Sequence, residues 1–350
     1  MRITFLSPEV VPFAKTGGLA DVAGALPKAL AGLGLHVDVI MPKYGTIDTA
    51  KFGLTRVASP ASFSVPVGSR TETASVWTAV LPGASVRVYF IEHAGYFDRA
   101  GLYVDPATGK DYPDNAARFI FFARAALGLI PALDLRPDVI HCNDYQTGLV
   151  PAYLKLRDQD DPALAHVATL YSIHNLSYQG LYPPETMPRI GLGDGLFYPM
   201  SPFEFWGRVN FMKAGLVYAD VLNTVSERYA QEIQSTEEFG CGLEGVLRER
   251  SADLYGIVNG IDYDEWNPAH DPLIPSHYDL TDLSGKAKNK EAVLKEFGLP
   301  VSWGAVPLIG MVSRLAPQKG FDILAAGIDE LMRLDLQLVI LGTGMKEYHD

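Results

Sequence analysis

The sequence has few cysteines: only Cys142 and Cys241 occur among its 350 residues. Two cysteines are too few for a disulfide scaffold and fit a reducing compartment. No apolar stretch approaches the ~18 residues of a membrane span. The apolar run of the first residues breaks at Ser7 and Pro8, before it reaches the length of a secretion signal. We therefore expect a cytoplasmic protein that has no membrane partner.

Basic residues are also scarce, since 29 Lys and Arg face 41 Asp and Glu and the formal net charge is −12. Duplex binding needs clustered Lys and Arg to replace the counterions of the phosphates. We therefore expect no nucleic-acid partner. An anionic small ligand would need local cations to hold it against the net negative field. The sequence leaves the oligomeric state open.

Several familiar catalytic motifs are missing. The sequence contains neither H-E-x-x-H nor a Cys/His cluster, so it gives no support for a zinc site. It also lacks G-x-S-x-G, so it gives no support for a hydrolase triad. The Walker loop and the G-x-G-x-x-G fingerprint are also absent. Two D-x-D spacings, Asp158 with Asp160 and Asp262 with Asp264, are of a kind that can hold a diphosphate-bridging metal. The first pair is predicted to lie on the surface and the second follows a hinge, so we expect neither a metal nor another cofactor.

Short runs rich in Val and Ile alternate with helical patterns along most of the chain. This alternation is typical of β/α units around a buried parallel sheet. Single cores stop growing at roughly 250 to 300 residues, so we predict two domains, 1–253 and 254–350. The predicted strands span residues 2–6, 36–41, 86–91, 138–142, 168–173, 221–225, 255–258, 308–312 and 336–341. The predicted helices span residues 19–33, 115–129, 205–219, 286–297 and 321–334.

The second domain has few predicted strands before the sequence ends. So small an open parallel sheet would leave a long apolar edge unpaired. We therefore expect this domain to be incomplete. The most loop-like stretches are residues 60–70 and 268–284, and no internal repeat occurs.

The loop of residues 7–18 leads from the first strand into the first helix. Gly17 and Gly18 immediately precede that helix, so backbone N–H groups can approach a phosphate or a sugar without interference from a Cβ. Lys15 adds a cation. Asp21, in the first helical turn, would repel a bare phosphate, which favours a hydroxyl-rich ligand such as a sugar. The alternative is a plain helix cap in which the glycines allow a turn and Lys15 is solvated.

Polar residues follow three further predicted strands. Asp144 follows the strand of residues 138–142, His174 follows that of residues 168–173, and Asn259 follows the strand at the domain junction. Ligands bind beyond the carboxyl ends of the strands in a doubly wound sheet, and amide, carboxylate and aromatic groups suit a pyranose. The alternatives are a histidine held by backbone hydrogen bonds and a simple hinge turn at Asn259.

In the second domain, the loop between a predicted strand and the following predicted helix carries two cationic residues. Arg314 and Lys319 lie five residues apart at the predicted helix N-terminus. Cations are unfavourable at that end of a helix unless something negative is bound there. We therefore favour an anion site over a solvated cationic loop.

Ordered motifs along the chain resemble those of the bacterial glycogen synthase and starch synthase family. The family hallmark K-T-G-G-L-A-D-V matches residues 15–22 throughout. The other matches are H-N-L-S-Y-Q-G at 174–180, F-M-K-A-G at 211–215, V-N-G-I-D at 258–262, and V-S-R-L with Q-K-G between 312 and 320. The resemblance runs from Met1 to Gly344. A set of ordered motifs over the whole chain is far more specific than one motif.

The resemblance implies an α/β fold of GT-B architecture. Two Rossmann-like, doubly wound parallel-sheet domains would face a cleft, the second of them incomplete here. The implied activity is transfer of glucose from ADP-glucose to the non-reducing end of an α-1,4-glucan such as glycogen, with retention of configuration.

The resemblance also implies which residues form the site. Those expected against the donor diphosphate and glucose, or beside them, are Lys15, Gly17, Gly18 and Asp21. Those expected to stabilise the leaving diphosphate from the second domain are Arg314 and Lys319. Those expected to contact the transferred glucose or to lie on the sugar side are His174, Asn259, Asp144 and Tyr103. Because these residues belong to two domains, domain closure is expected to be part of catalysis.

One departure from the family pattern is the absence of an E-P-C-G-L segment. The family continues for well over a hundred residues past this terminus, and the glutamate of that segment faces the donor glucose. Two other interpretations therefore stay open: a related transferase that uses UDP-glucose, and a non-catalytic remnant that binds glucan or nucleotide.

Overall fold

The computed structural model describes residues 1–301 and 305–348; residues 302–304, 349 and 350 of the predicted second domain lie outside the described residues. The chain forms two compact units, Met1–Gly260 and Ile261–Asp350. The first unit therefore extends past the predicted boundary at residue 253. The reason is that the strand Leu254–Gly256 pairs in parallel with Val221–Thr224 and so belongs to the first sheet.

A ten-stranded sheet organises the first unit. Its strands are β1 (Arg2–Leu6), β2 (His36–Pro42), β3 (Thr55–Arg56), β4 (Ser62–Val67), β5 (Arg70–Val80), β6 (Arg87–Glu92), β9 (Val139–Asn143), β10 (Ala168–Ile173), β14 (Val221–Thr224) and β15 (Leu254–Gly256). The strand order is β15-β14-β10-β9-β1-β2-β6-β5-β3, and β4 pairs with β5. The seven strands from β15 to β6 are parallel, whereas β3, β4 and β5 are antiparallel.

Short strands outside this sheet form two small antiparallel pairings in the first unit. They are β7 (Val104–Asp105) with β8 (Lys110–Asp111), and β11 (Leu181–Tyr182), β13 (Arg208–Asn210) and β12 (Glu204–Phe205). The helices are α1 (Gly18–Gly32), α2 (Ala94–Phe97), α3 (Asn115–Ala132), α4 (Leu149–Leu156), α5 (Met187–Ile190), α6 (Phe211–Tyr218), α7 (Glu227–Glu232), α8 (Glu237–Gly240) and α9 (Glu244–Glu249). Among the described residues, no helix is long and apolar enough to cross a membrane.

The inner strands are buried because their sequences are apolar on both faces. Phe5, Val39 and Ile140, from three neighbouring strands, are fully buried in one continuous core. Helix α3 is nearly all apolar and is itself buried along most of its length. Parallel strands must be covered on both faces, and these compositions meet that requirement.

The second unit has a parallel pair of strands, β16 (Leu308–Val312) and β17 (Gln337–Leu341), paired along their whole length. Within the described part of this unit, the α-helices are α10 (Gly285–Glu296) and α11 (Phe321–Leu331). Gly342 follows β17, and a Cβ there would lie only 2.2 Å from the Ser313 carbonyl oxygen. The loops after the two strands therefore approach each other closely, and glycine is required for that approach.

Two sequence predictions fail locally. The stretch 60–70 was predicted as a loop, yet β4 pairs with β5 through six residues from Ser62 to Val67. Alternation of polar and apolar residues in this outer strand gives it one buried face, which outweighs the local proline and glycine signals. The predicted helix 205–219 begins only at Phe211, because the Asn210 side chain accepts a hydrogen bond from the Lys213 N–H and caps it.

Candidate active site

The loop after β1 is held by the buried carboxylate of Glu9. This group accepts hydrogen bonds from the backbone and hydroxyl of Thr16, from the Gly17 N–H at 3.3 Å and from the Tyr103 hydroxyl at 2.8 Å. Charged acceptors make the stronger hydrogen bonds of proteins. Glu9 therefore fixes the entry to α1. Sequence reasoning missed this residue, since one of its partners lies 94 positions away.

Gly17 and Gly18 border open space. A Cβ on either glycine would meet no protein atom within 4 Å, and neither has a positive φ. Gly17 is extended, with φ −155° and ψ −169°. The fold alone therefore does not require glycine at these positions. The open space leaves room for a ligand to approach the backbone closely.

The N-terminus of α1 carries no side-chain cap. Its free N–H groups and the helix dipole make it suitable for a negative group. Lys15, just before the helix, pairs with Asp21 at 2.6 Å, and both side chains are nearly half exposed. Lys15 is therefore both solvent-exposed and paired with a carboxylate, so the predicted alternative of a solvated Lys15 stays open. The structure places a lysine and a carboxylate together beside an uncapped helix.

Asp144 has a strained backbone at the end of β9. Its φ of 55° and ψ of −178° lie in a region used almost only by glycine, and such residues concentrate at functional sites. Its Oδ1 accepts hydrogen bonds from the His174 N–H at 2.8 Å and the Asn175 N–H at 3.4 Å. Asp144 thus positions the loop after β10. The strands β1, β9 and β10 are neighbours, so their carboxyl ends meet at one edge of the sheet.

Burial changes the acid–base properties of this pair. Burial raises the pKa of Asp144 to about 7, while the His174 and Asn175 N–H groups pull it down and nearby Glu9 raises it further. Burial lowers the pKa of His174 to about 4. His174 is therefore neutral at pH 7, and Asp144 titrates near that pH.

The tautomer of His174 follows from its neighbour. The Asn143 side-chain N–H donates to the Leu6 carbonyl at 2.9 Å, so its Oδ1 must be the acceptor that lies 2.9 Å from His174 Nε2. His174 accordingly donates from Nε2. The unprotonated Nδ1 is then able to accept a hydrogen bond from a sugar hydroxyl.

A buried polar ladder lies beneath these residues. The ring of His141 is 2.6 Å from the Ser172 hydroxyl, which in turn bonds Asn223 on β14. Burial lowers the pKa of His141 to about 3, with a further contribution from His174. His141 therefore stays neutral and supports the strand ends, a role that sequence reasoning did not identify.

Tyr103 and Asn259 occupy different surroundings. The Tyr103 hydroxyl donates to Glu9, so Tyr103 lies behind the loop of residues 15–18 and is linked to it through that carboxylate. Asn259 is exposed near the end of the first unit. The structure thus connects Tyr103 to the Lys15 loop and Asp144 to His174.

The second unit presents Arg314 and Lys319 in the loop between β16 and α11. Both residues are exposed. A shallow cavity of about 300 Å³ adjoins the ends of both strands and is lined by Val312, Ser313, Arg314, Leu341, Gly342 and Thr343. Carboxyl ends of parallel strands are the usual ligand sites of such sheets. The cations predicted from the sequence therefore lie at the expected end of the second sheet.

Comparisons with known proteins identify the family. The sequence-family model of the starch synthase catalytic domain matches residues 2–249 of this chain. The glycogen synthase of Moorella thermoacetica is 47% identical over 349 residues, which cover 99% of this chain and 68% of that relative. The chain belongs to the glycogen synthase family. The family member of Thermotoga maritima is 45% identical over 352 residues, which cover all of this chain and 70% of the relative.

A solved structure supports the same assignment within the glycogen synthase family. The catalytic domain of starch synthase IV from Arabidopsis thaliana, bound to ADP and acarbose, matches with a TM-score of 0.88 at 33% identity. The match covers 99% of this chain and 69% of that one. The predicted fold class, α/β of GT-B type, is confirmed, and the chain is a glycosyltransferase.

Proposed function

We propose that this glycogen synthase homologue transfers glucose from ADP-glucose to the non-reducing end of an α-1,4-glucan, with retention of configuration. The observation that carries the proposal is the uncapped N-terminus of α1, where Gly17 and Gly18 leave open space beside Lys15. Family membership and the ADP and acarbose bound to the Arabidopsis structure support it. The cytoplasmic location stays a prediction.

Within the first unit, the proposed donor-binding residues are Lys15, Gly17, Gly18 and Asp21. The Lys15 ammonium would oppose the negative charge of the diphosphate, and the two glycines would let it reach the backbone N–H groups of α1. Asp21 pairs with Lys15 at 2.6 Å and holds it at the helix. A carboxylate so placed accepts hydrogen bonds from sugar hydroxyls as well.

Within the second unit, Arg314 and Lys319 are proposed to bind the diphosphate and stabilise it as it leaves. Arginine can hold two phosphate oxygens at once, whereas lysine acts as a point charge. Fixed cations near a developing negative charge stabilise a transition state without reorganisation.

The proposed sugar contacts are His174 and Asn259, and Asp144 and Tyr103 are proposed to lie on the sugar side of the site. The neutral imidazole of His174 offers Nδ1 to a sugar hydroxyl. Asp144 acts through the backbone of His174, which it holds at 2.8 Å. Tyr103 acts through Glu9, which holds the donor loop.

The proposed reaction breaks the bond between the sugar C1 and the diphosphate oxygen, and the bonding electrons leave with ADP. The acceptor hydroxyl attacks C1 from the same face, and its proton passes to the departing phosphate oxygen. The new bond therefore keeps the α configuration. No side chain forms a covalent intermediate, so catalysis rests on positioning and electrostatic stabilisation.

The test incubates the purified chain with glycogen and either ADP-glucose or UDP-glucose. We expect ADP release with incorporation of glucose in α linkage, and slower turnover with UDP-glucose. Glycogen binding without release of either nucleotide would overturn the proposal in favour of a non-catalytic binding protein. Faster turnover with UDP-glucose would overturn the assigned donor.

A further inference from the structure

An exposed tryptophan occupies an unusual turn in the first unit. Residues Phe205 and Arg208 pair across the hairpin of β12 and β13, so Trp206 and Gly207 form its two-residue turn. Both have positive φ, 52° and 75°. Such turns normally place asparagine or aspartate before glycine, because a bulky residue is strained there. Trp206 is nevertheless 83% exposed, so burial of the indole does not explain its presence.

The hairpin is held rigidly by polar contacts. The Glu204 carboxylate accepts hydrogen bonds from the Gly207 N–H at 2.7 Å and from the Met200 N–H at 2.8 Å. The Lys213 ammonium donates to the Glu204 carbonyl at 2.6 Å. These contacts fix the turn that presents the indole. A fixed aromatic ring loses little conformational entropy when a ligand stacks on it.

Two more exposed side chains lie on a loop that is hydrogen-bonded to this hairpin. Glu204 ties the hairpin to the loop that carries Tyr198 and Met200, both exposed, and Met200 also has a positive φ of 66°. Large exposed apolar patches on a folded protein often mark interaction sites. We call Tyr198, Met200 and Trp206 the aromatic surface.

The turn of Trp206 packs against a segment that also contacts the loop of residues 174–180. Cys241 joins the two, because its carbonyl accepts from the Gln179 side chain at 3.0 Å and its Sγ lies 3.7 Å from the Ser177 hydroxyl. The next residue is Gly242, where a Cβ would lie 3.5 Å from Trp206 Nε1. Through Cys241 and Gly242, the indole of Trp206 is therefore structurally linked to the loop of residues 174–180.

We propose that the aromatic surface binds an α-glucan chain at glucose units remote from the reacting end. The apolar faces of successive pyranoses stack on aromatic rings, and a neutral polysaccharide is not repelled by a protein of net charge −12. This proposal rests on the proposed function, since it extends the acceptor site. It predicts that long acceptors bind more tightly than short ones.

The test compares Trp206→Asn with the unchanged chain by electrophoresis in gels that contain glycogen. Asparagine suits the turn, so the variant is expected to keep or raise its thermal stability. Its dissociation constant for glycogen is expected to rise about fivefold to tenfold, the size of one lost aromatic stacking contact. Trp206→Tyr should retain most of the affinity. Trp266→Asn, which makes the same substitution at another exposed tryptophan, serves as the matched control.

Activity on a short maltooligosaccharide separates the two proposals. Trp206→Asn should release ADP from ADP-glucose at the normal rate with that acceptor, and more slowly with dilute glycogen. Failure of every variant to release ADP would refute the proposed function, while the gels would still report on the aromatic surface. Unchanged glycogen affinity of Trp206→Asn would overturn the inference. If the unchanged chain self-associates, loss of that self-association in Trp206→Asn with unchanged affinity would also overturn it and would assign the surface to a second copy.

Discussion

Replacing Gly18 by alanine separates folding from donor binding. Gly18 begins α1 and Gly32 ends it, and a Cβ at either position meets no protein atom within 4 Å. Both glycines are exposed and neither has a positive φ. Gly32→Ala is therefore a matched control, because it makes the same chemical change at the other end of the same helix.

The expected effect on stability has the same sign for both variants. Alanine restricts the unfolded chain and suits a helix better than glycine, which stabilises the folded state by about 0.4 to 1 kcal/mol where no clash results. The effect on activity should differ. At Gly18 the added methyl group occupies the open space where we place the diphosphate. We expect kcat/KM for ADP-glucose to fall at least about tenfold, which corresponds to roughly 1.4 kcal/mol.

The assay measures thermal unfolding and ADP release for both variants. The account predicts higher unfolding temperatures for both and a loss of activity for Gly18→Ala alone. Activity of Gly18→Ala within about twofold of the unchanged chain would refute the reasoning. Equal losses of activity in Gly18→Ala and Gly32→Ala would also refute it, since the effect would then belong to the helix.

Three further predictions concern the groups around the site. The folded state binds the Asp144 proton more tightly than the unfolded state, so its stabilising effect is complete below about pH 4 and is lost as pH rises to about 7. The unfolding free energy of Asp144→Asn minus that of the unchanged chain should therefore increase by about 2 kcal/mol or more as the pH rises from about 5 to about 8. Denaturant titration measures this difference, and a difference that does not change with pH would contradict the prediction. Glu9→Ala should raise the KM for ADP-glucose several-fold, because the loop of residues 15–18 loses its acceptor; an unchanged KM in steady-state assays would argue against that role. Arg314→Ala should lower kcat about a hundredfold, whereas Arg333→Ala on the same unit should not; similar rates for both would remove Arg314 from the proposed mechanism.

Much of the fold follows from burial on both faces of the strands. The predicted strands 2–6, 168–173 and 308–312 match the structure residue for residue, because their apolar runs end at polar or glycine-rich loops. The outer strands were harder to predict. Ser62–Val67 contains Pro66 and alternates polar with apolar residues, so its pairing with β5 depends on a partner that local signals do not reveal. The strand Leu254–Gly256 was likewise assigned to the second domain, because the sequence does not reveal its pairing with Val221–Thr224 in the first sheet.

The candidate site was predictable where a short motif carries the chemistry. The Lys15 loop and the cations at Arg314 and Lys319 could be predicted from helix N-termini and charge. Glu9 could not, because a single carboxylate between apolar residues gives no local signal. Its importance comes from Tyr103, which folding brings within 2.8 Å.

The central claim is that Lys15 acts on the donor and not only on its neighbour Asp21. Lys155 and Asp220 form a matched ion pair, with the same 2.6 Å separation and side chains 46% and 34% exposed, against 49% and 42% for Lys15 and Asp21. Asp220 precedes β14, so this pair lies at the opposite edge of the sheet.

The decisive measurement is kcat/KM for ADP-glucose with glycogen in Lys15→Ala and Lys155→Ala. The account predicts a fall of about a hundredfold or more for Lys15→Ala, the usual size for one lost electrostatic contact in an active site. It predicts a change within about twofold for Lys155→Ala, since an exposed ion pair contributes little by itself. Equal values of kcat/KM for the two variants would contradict the account.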